Sequence, residues 1–190
     1  MPFERIASET AWEGKMIALR VERFRFDDGS EATREVVSHP GAVAIVAHDG
    51  ERLYLVRQPR EAVGEESLLE VPAGKLDEGE SPLESARREL AEELGKEADA
   101  WTRLTSFYST PGFTDERMHL FLATDLRDLQ PTEGEGPAAA EEERLEVVPV
   151  PLEHIDAVIA ECEDAKSLVG LLWLRAYGPD RPQTGNPRER

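Results

Sequence analysis

The chain has 190 residues, a single cysteine and a formal net charge of −18, with 39% hydrophobic and 33% charged residues. That length suits one domain with its own core, and the acidity excludes a general nucleic-acid or anionic-membrane surface, because nothing would offset phosphate repulsion. The lone Cys162 excludes an internal disulfide and a multi-cysteine zinc site.

No apolar run approaches transmembrane length, and Met1–Arg5 carries no signal-peptide pattern, so cytoplasmic residence is the expectation. Residues 15–26 alternate apolar and polar and predict a strand, with a slip in phase between Val21 and Phe24 that predicts a bulge. Asp27–Ser30 is a turn, and 32–38 resumes strand character, which together predict an N-terminal β-hairpin. Gly41–His48 is almost continuously apolar, as for a strand buried on both faces, and 52–58 follows as its neighbour. Shorter strands are predicted at 67–71, 103–109, 117–124 and 144–150. Residues 152–177 read as helical, broken near Glu163 with Asp164 as a cap, and the run Leu168–Leu174 is apolar enough to predict burial. Gln130–Glu143 is a loop by composition, and Pro179–Arg190 a disordered tail. His39, His48 and His154 show no metal-ligand spacing among themselves.

The segment Gly74–Gly95 carries the chemistry. Ser81 is a good N-cap, Pro82 suits the first helical position, and Glu84 stands where a capping box needs it. Gly95 is placed to end the helix in a left-handed conformation. Leu83, Ala86, Leu90 and Leu94 form an apolar stripe. Glu89, Glu92 and Glu93 fall within about a third of the circumference at roughly 100° per residue. No basic residue lies between them, so like charges crowd unless a cation neutralises them. Hard carboxylate oxygens suit Mg²⁺ or Mn²⁺ in phosphate chemistry. Arg88 and Glu80 are spaced so that the arginine reaches back to fix the preceding loop.

The order Gly74, five residues, Glu80, seven residues, then Arg88-Glu89-Leu90-x-Glu92-Glu93-x-Gly95 resembles the Nudix box. One position departs, since Lys96 stands where the box has an aliphatic packing residue. The wider resemblance, over about residues 5–177, is to the ADP-ribose pyrophosphatase subgroup. It rests on Glu70–Gly74, Thr33–Val37 before Gly-Ala-Val-Ala-Ile, Val56–Arg60, and Pro111 sixteen residues past the box's last glycine, with Glu116 after it.

This resemblance implies an α/β fold, a Nudix-type α/β/α sandwich with a mixed sheet and an N-terminal β-hairpin extension. Residues 1–40 would form that extension and a dimer contact, 41–178 the hydrolase domain, and 179–190 the tail. The implied activity is metal-dependent hydrolysis of ADP-ribose to AMP and ribose 5-phosphate. The alternatives are a pyrophosphatase for another sugar nucleotide or dinucleotide, or a non-catalytic ADP-ribose sensor. Mg²⁺, with Mn²⁺ or Zn²⁺ as alternatives, would be held by Glu89, Glu92, Glu93 and the carbonyl of Ala73. Arg34, Glu35, Arg60, Glu70, Gly112 and Glu116 would bind substrate, and Glu80 and Arg88 would position the loop. The general base would come from Glu141, with Glu143 next and Glu142 between them. The expected partners are a small nucleoside diphosphate derivative and a second copy of the chain, in an arrangement that lets Arg34 reach across; nucleic acid and membrane are not expected.

Overall fold

The computed structural model describes residues 1–129 and 144–178, and the chain forms two units, Met1–Gly41 with Phe107–Met118, and Ala42–Ser106 with His119–Arg190. The expected loop Gln130–Glu143, with Glu141, Glu142 and Glu143, and the expected tail Pro179–Arg190 lie outside the described residues.

In the first unit the expected hairpin is a three-stranded antiparallel sheet, β1 (Phe3–Glu13), β2 (Ala18–Phe26) and β3 (Glu31–Ser38), in the order β1-β2-β3. β1 has almost no inward side, being exposed at every residue but Ile6, so its sequence lacks the alternation that reveals a half-buried strand. The bulge expected between Val21 and Phe24 is not in β2, which pairs with β3 in unbroken register from Ala18↔Ser38 to Arg25↔Glu31. The irregularities fall in the β1–β2 pairing, between Arg5 and Ala7 and between Thr10 and Trp12. The phase slip has another cause: β2 is the middle strand and covers residues on both faces. On one of these Glu22 is 5% exposed, bound by Arg5 Nη1 at 2.7 Å and Ser8 Oγ at 3.3 Å. Phe3 packs edge-on against Phe24 and Phe26, with ring centroids 5.4 and 6.2 Å away.

The second unit is built on a seven-stranded sheet with the path β10-β5-β4-β9-β8, where β6 pairs with β5 and β7 with β4. The strands are β4 (Ala42–His48), β5 (Arg52–Arg60), β6 (Glu65–Glu70), β7 (Ala73–Lys75), β8 (Lys96–Tyr108), β9 (Arg117–Asp128) and β10 (Glu146–Pro151). Every residue of β4 is buried, as its apolar run predicts. Alternation along it sorts two layers. Val43, Ile45 and Ala47 share a cluster with Ala86, Leu90 and Leu94 of α1 (Pro82–Leu94). Val46 points the other way, and its Cγ2 lies 2.7 Å from where a Cβ on Gly170 of α3 (Ala165–Tyr177) would stand. The helices therefore cover opposite faces, which makes the α/β/α sandwich.

α1 begins and ends as its sequence dictates. The Ser81 N–H donates to Glu84 Oε2 at 2.9 Å and the Glu84 N–H to Ser81 Oγ at 3.4 Å, closing the capping box. Gly95 ends the helix at φ 62°, which an L side chain rarely adopts. The next residue already starts β8, earlier than predicted. Lys96 there keeps the packing role of the missing aliphatic residue: its ammonium sits 4.6 Å from the Tyr54 ring centroid and pairs with Asp128 at 2.6 Å.

After β10 come a 3₁₀ turn (Leu152–His154), α2 (Ile155–Glu161) and α3, with Asp164 accepting from the Ser167 N–H at 2.9 Å as the cap. Burial in α3 is narrower than expected. Ser167, Gly170, Leu171 and Leu174 are buried, whereas Val169 and Leu172 are exposed. A helix laid on one sheet face buries only a stripe, however apolar its remainder. Among the described residues, no helix is long and apolar enough to cross a membrane.

Candidate active site

Helical spacing decides which of the three α1 glutamates turn inward. Glu89 and Glu93, four apart, are 8% and 4% exposed, while the Glu92 side chain is 44% exposed. Two buried carboxylates on one helix face meet β7, and β7 is shaped to receive them. A Cβ on Gly74 would overlap the Glu89 carboxylate, so only glycine lets backbone and carboxylate approach this closely. One residue earlier, the Ala73 N–H donates to Glu93 Oε2 at 3.0 Å. β7 in turn is fixed against β4 through Ala42↔Lys75, Val43↔Gly74 and Ala44↔Ala73.

Arg88 ties the preceding loop to the helix. Its Nε and Nη2 donate to the two oxygens of Glu80 at 3.1 and 3.0 Å, and Nη2 also reaches the Lys75 carbonyl at 3.2 Å. Its Nη1 donates to Glu89 at 2.6 Å and to Glu92 at 3.0 Å. The hydrogen bond to Glu80 leads the rise of the Arg88 pKa above its ordinary value, and Arg88 in turn holds the Glu80 carboxyl below its own. This corrects the charge argument made from sequence: the cation that offsets Glu89 and Glu92 is in part the neighbouring Arg88, which reaches both.

A second cluster surrounds Glu70, 1% exposed at the end of β6. Arg60, at the end of β5, binds it through two nitrogens at 2.6 and 2.7 Å, and Lys166 of α3 reaches the same carboxylate at 2.5 Å. Burial pushes the Glu70 carboxyl up, but Arg60 and Lys166 outweigh it and leave the group below its usual range. The hydrogen bond to Glu70 leads the rise of the Arg60 pKa above its ordinary value, and the Glu93 carboxylate adds a smaller push in the same direction. Nothing local in the sequence marks Lys166, because its partner is 96 residues away.

The remaining expected substrate residues lie in the first unit. Arg34 and Glu35 are exposed on β3, and Arg34 Nη1 donates to the Thr33 carbonyl at 2.8 Å. The segment after Ser109 is held to the end of β3, with the Val37 N–H donating to the Phe113 carbonyl at 2.8 Å and the His39 N–H to Asp115 Oδ1 at 2.8 Å. Gly112 is exposed on this segment. Glu116, part-buried, accepts from Ser109 Oγ at 2.5 Å and faces His39 Nδ1 at 3.7 Å. Asp115, which sequence reading passed over, anchors this segment.

Among the described residues, no three carboxylate, imidazole or thiolate donors converge on one point. The buried pair still fits a hard divalent cation, since Mg²⁺ commonly takes one or two carboxylates and completes its shell with water and substrate phosphate oxygens. The cradle at Gly74 is a second sign of fit, because it lets the Glu89 carboxylate lie directly against the backbone of β7, next to the expected carbonyl ligand of Ala73.

The chain belongs to the NUDIX domain family, which it matches over residues 37–167. It is 40% identical over 173 residues to an ADP-ribose pyrophosphatase of Bacillus subtilis (strain 168), covering 90% of this chain and 91% of that one. It is 35% identical, with the same coverage of each, to a methanol dehydrogenase activator of Bacillus methanolicus. A crystal structure of an ADP compounds hydrolase superposes with a TM-score of 0.75 at 25% identity, covering 95% of this chain and 98% of that chain.

Proposed function

We infer that the protein hydrolyses the pyrophosphate bond of ADP-ribose, giving AMP and ribose 5-phosphate, with Mg²⁺ as its metal and Mn²⁺ or Zn²⁺ as substitutes. The observation that carries this reading is the buried Glu89–Glu93 pair set against Gly74, in a chain so similar along its length to an ADP-ribose pyrophosphatase. Water adds to one phosphorus and the bridging oxygen leaves with the other phosphate, and the second ionisations of the two phosphate monoesters formed release up to two protons near neutral pH. When bound, a divalent cation supplies Lewis-acid polarisation of phosphoryl oxygens and acidifies water. Glu89, Glu93 and the Ala73 carbonyl hold that cation, with Glu92 at the rim. Arg60 engages pyrophosphate oxygens by charge-assisted bonds. Arg34, Glu35, Gly112 and Glu116 bind the rest of the substrate, and Glu116 takes the terminal ribose. Glu141, with Glu143 next, accepts the proton of the attacking water.

A homodimer joined through the N-terminal sheet completes the proposal. Phe3, Trp12 and Met16 there are 64%, 55% and 60% exposed, apolar surface suited to a second copy.

Product analysis tests the reaction. ADP-ribose with Mg²⁺ yields AMP and ribose 5-phosphate, chelation abolishes this, and Glu93→Gln lowers kcat by about a hundredfold or more while the fold persists. Glu141→Gln lowers kcat far more than it raises KM. Equal turnover by Glu93→Gln would refute the site, and faster turnover of another sugar nucleotide or dinucleotide in the same assay would displace ADP-ribose.

A further inference from the structure

We propose that Lys166 is a positioning residue: by sharing the buried Glu70 carboxylate, it leaves the Arg60 guanidinium electrostatically free to bind the substrate's pyrophosphate. This rests on the reading of Arg60 as the phosphate-binding arginine.

A guanidinium locked two-pronged onto a carboxylate forms a nearly neutral unit, which has little attraction for a polyanion. Arg60 is so locked, with Nε at 2.6 Å from Glu70 Oε1 and Nη2 at 2.7 Å from Oε2. Lys166 Nζ competes for the same Oε2 at 2.5 Å. The Glu70 charge is thus divided between two cations, and both are needed because the carboxylate has almost no water to share it, being 1% exposed. The Lys166 side chain is 17% exposed and the Arg60 side chain 40%, so of the two cations only Arg60 opens widely to solvent.

Lys166 is itself held from behind. Its Nζ meets Asp164 Oδ2 at 3.0 Å, and Asp164 caps the first turn of α3. There the free N–H groups of the helix start offset the Asp164 charge. Ser167 Oγ accepts from the Val71 N–H at 2.7 Å, which docks that turn onto the residue beside Glu70. The alternating line Asp164, Lys166, Glu70, Arg60 therefore runs from the α3 cap to the solvent-open guanidinium of Arg60. Without Lys166, the same line carries one more negative than positive charge beside an anionic substrate.

Lys166→Met keeps the aliphatic stem and removes the charge. It is expected to raise KM for ADP-ribose about tenfold with kcat within about twofold, since ground-state binding is what it weakens. The Kd for inorganic pyrophosphate, measured by calorimetry in Mg²⁺, rises by a similar factor, and Lys166→Arg restores most of both. Lys166→Gln, which removes the charge but keeps a hydrogen-bond donor for Glu70, raises both by a similar factor and carries the test if Lys166→Met does not fold. Unchanged KM and pyrophosphate affinity in Lys166→Met or Lys166→Gln, or losses in Lys166→Arg equal to theirs, would each overturn the proposal. A parent that binds pyrophosphate but leaves ADP-ribose intact removes the substrate reading alone; the pyrophosphate affinities then decide for Lys166.

Discussion

Gly74 shows how much of the site turns on one absent methyl group. The Glu89 carboxylate occupies the space a Cβ would take, so Gly74→Ala forces either the carboxylate away from β7 or β7 away from β4. Overpacking of this kind costs about 1–3 kcal/mol. Because the strain falls on the proposed cation site, we expect a loss of about a hundredfold in kcat/KM, only partly recovered by excess Mg²⁺. Turnover equal to the parent, at an unchanged thermal midpoint, would show that the approach is not required. At this scale sequence spacing alone gathered Glu89, Glu92 and Glu93 on one sector, because side chains three or four apart on a helix have their relative directions set by its pitch, and it joined Arg88 to Glu80 of the preceding loop. It could not show that Arg88 also binds Glu89 and Glu92, since a long flexible side chain chooses its partners only once the loop is placed. Lys166 is the extreme case, invisible in sequence and plain in the fold.

Among the elements, α1 is the one whose local signals all agree, from Ser81 and Pro82 at its start to Gly95 at its end. Its boundaries depend on these signals more than on packing. Ser81→Ala should therefore cost about 1 kcal/mol of stability, the usual worth of an N-cap. Denaturant unfolding checks this, and a lower midpoint at constant slope is the expected result; no change would mean that Pro82 and packing alone set the helix start. β1 and β7 show the opposite situation. β1 is exposed along nearly its whole length, and β7 is three residues long, so neither offers a periodic pattern. Both exist because a neighbouring strand supplies hydrogen-bond partners, β2 for one and β4 for the other. The apolar C-terminal helix likewise shows its composition in the sequence but not its buried stripe, which Gly170 defines by meeting Val46.

For the whole molecule, the net charge of −18 and the paired carboxylates predict a definite acid response. Burial works against the charged form of Asp49, yet the Tyr54 hydroxyl and the Glu51 and Arg52 N–H groups bring its pKa down to about 2. Burial likewise opposes Glu70, and Arg60 and Lys166 bring it below its usual value. A carboxyl whose folded pKa is depressed contributes fully above its unfolded value and loses that contribution as pH falls through the folded one. Stability should therefore hold, or rise slightly, as acid relieves self-repulsion toward the sequence pI of about 4.6, and then fall steeply between there and about pH 2. Thermal midpoints measured from pH 7 to 2.5 check this, and a midpoint still rising below pH 4 would contradict it.

The sequence by itself determined what depends on neighbours along the chain: the capped helix, the three carboxylates gathered on one sector of it, the doubly buried strand β4 and, through their spacing, the family. Only the tertiary structure decided what depends on residues far apart in sequence. It placed Gly74 under Glu89, divided Glu70 between Arg60 and Lys166, set Lys96 over Tyr54 and made the N-terminal segment three strands. Local interactions are encoded within a turn or two of chain, whereas these contacts arise only when the sheet brings separate segments together.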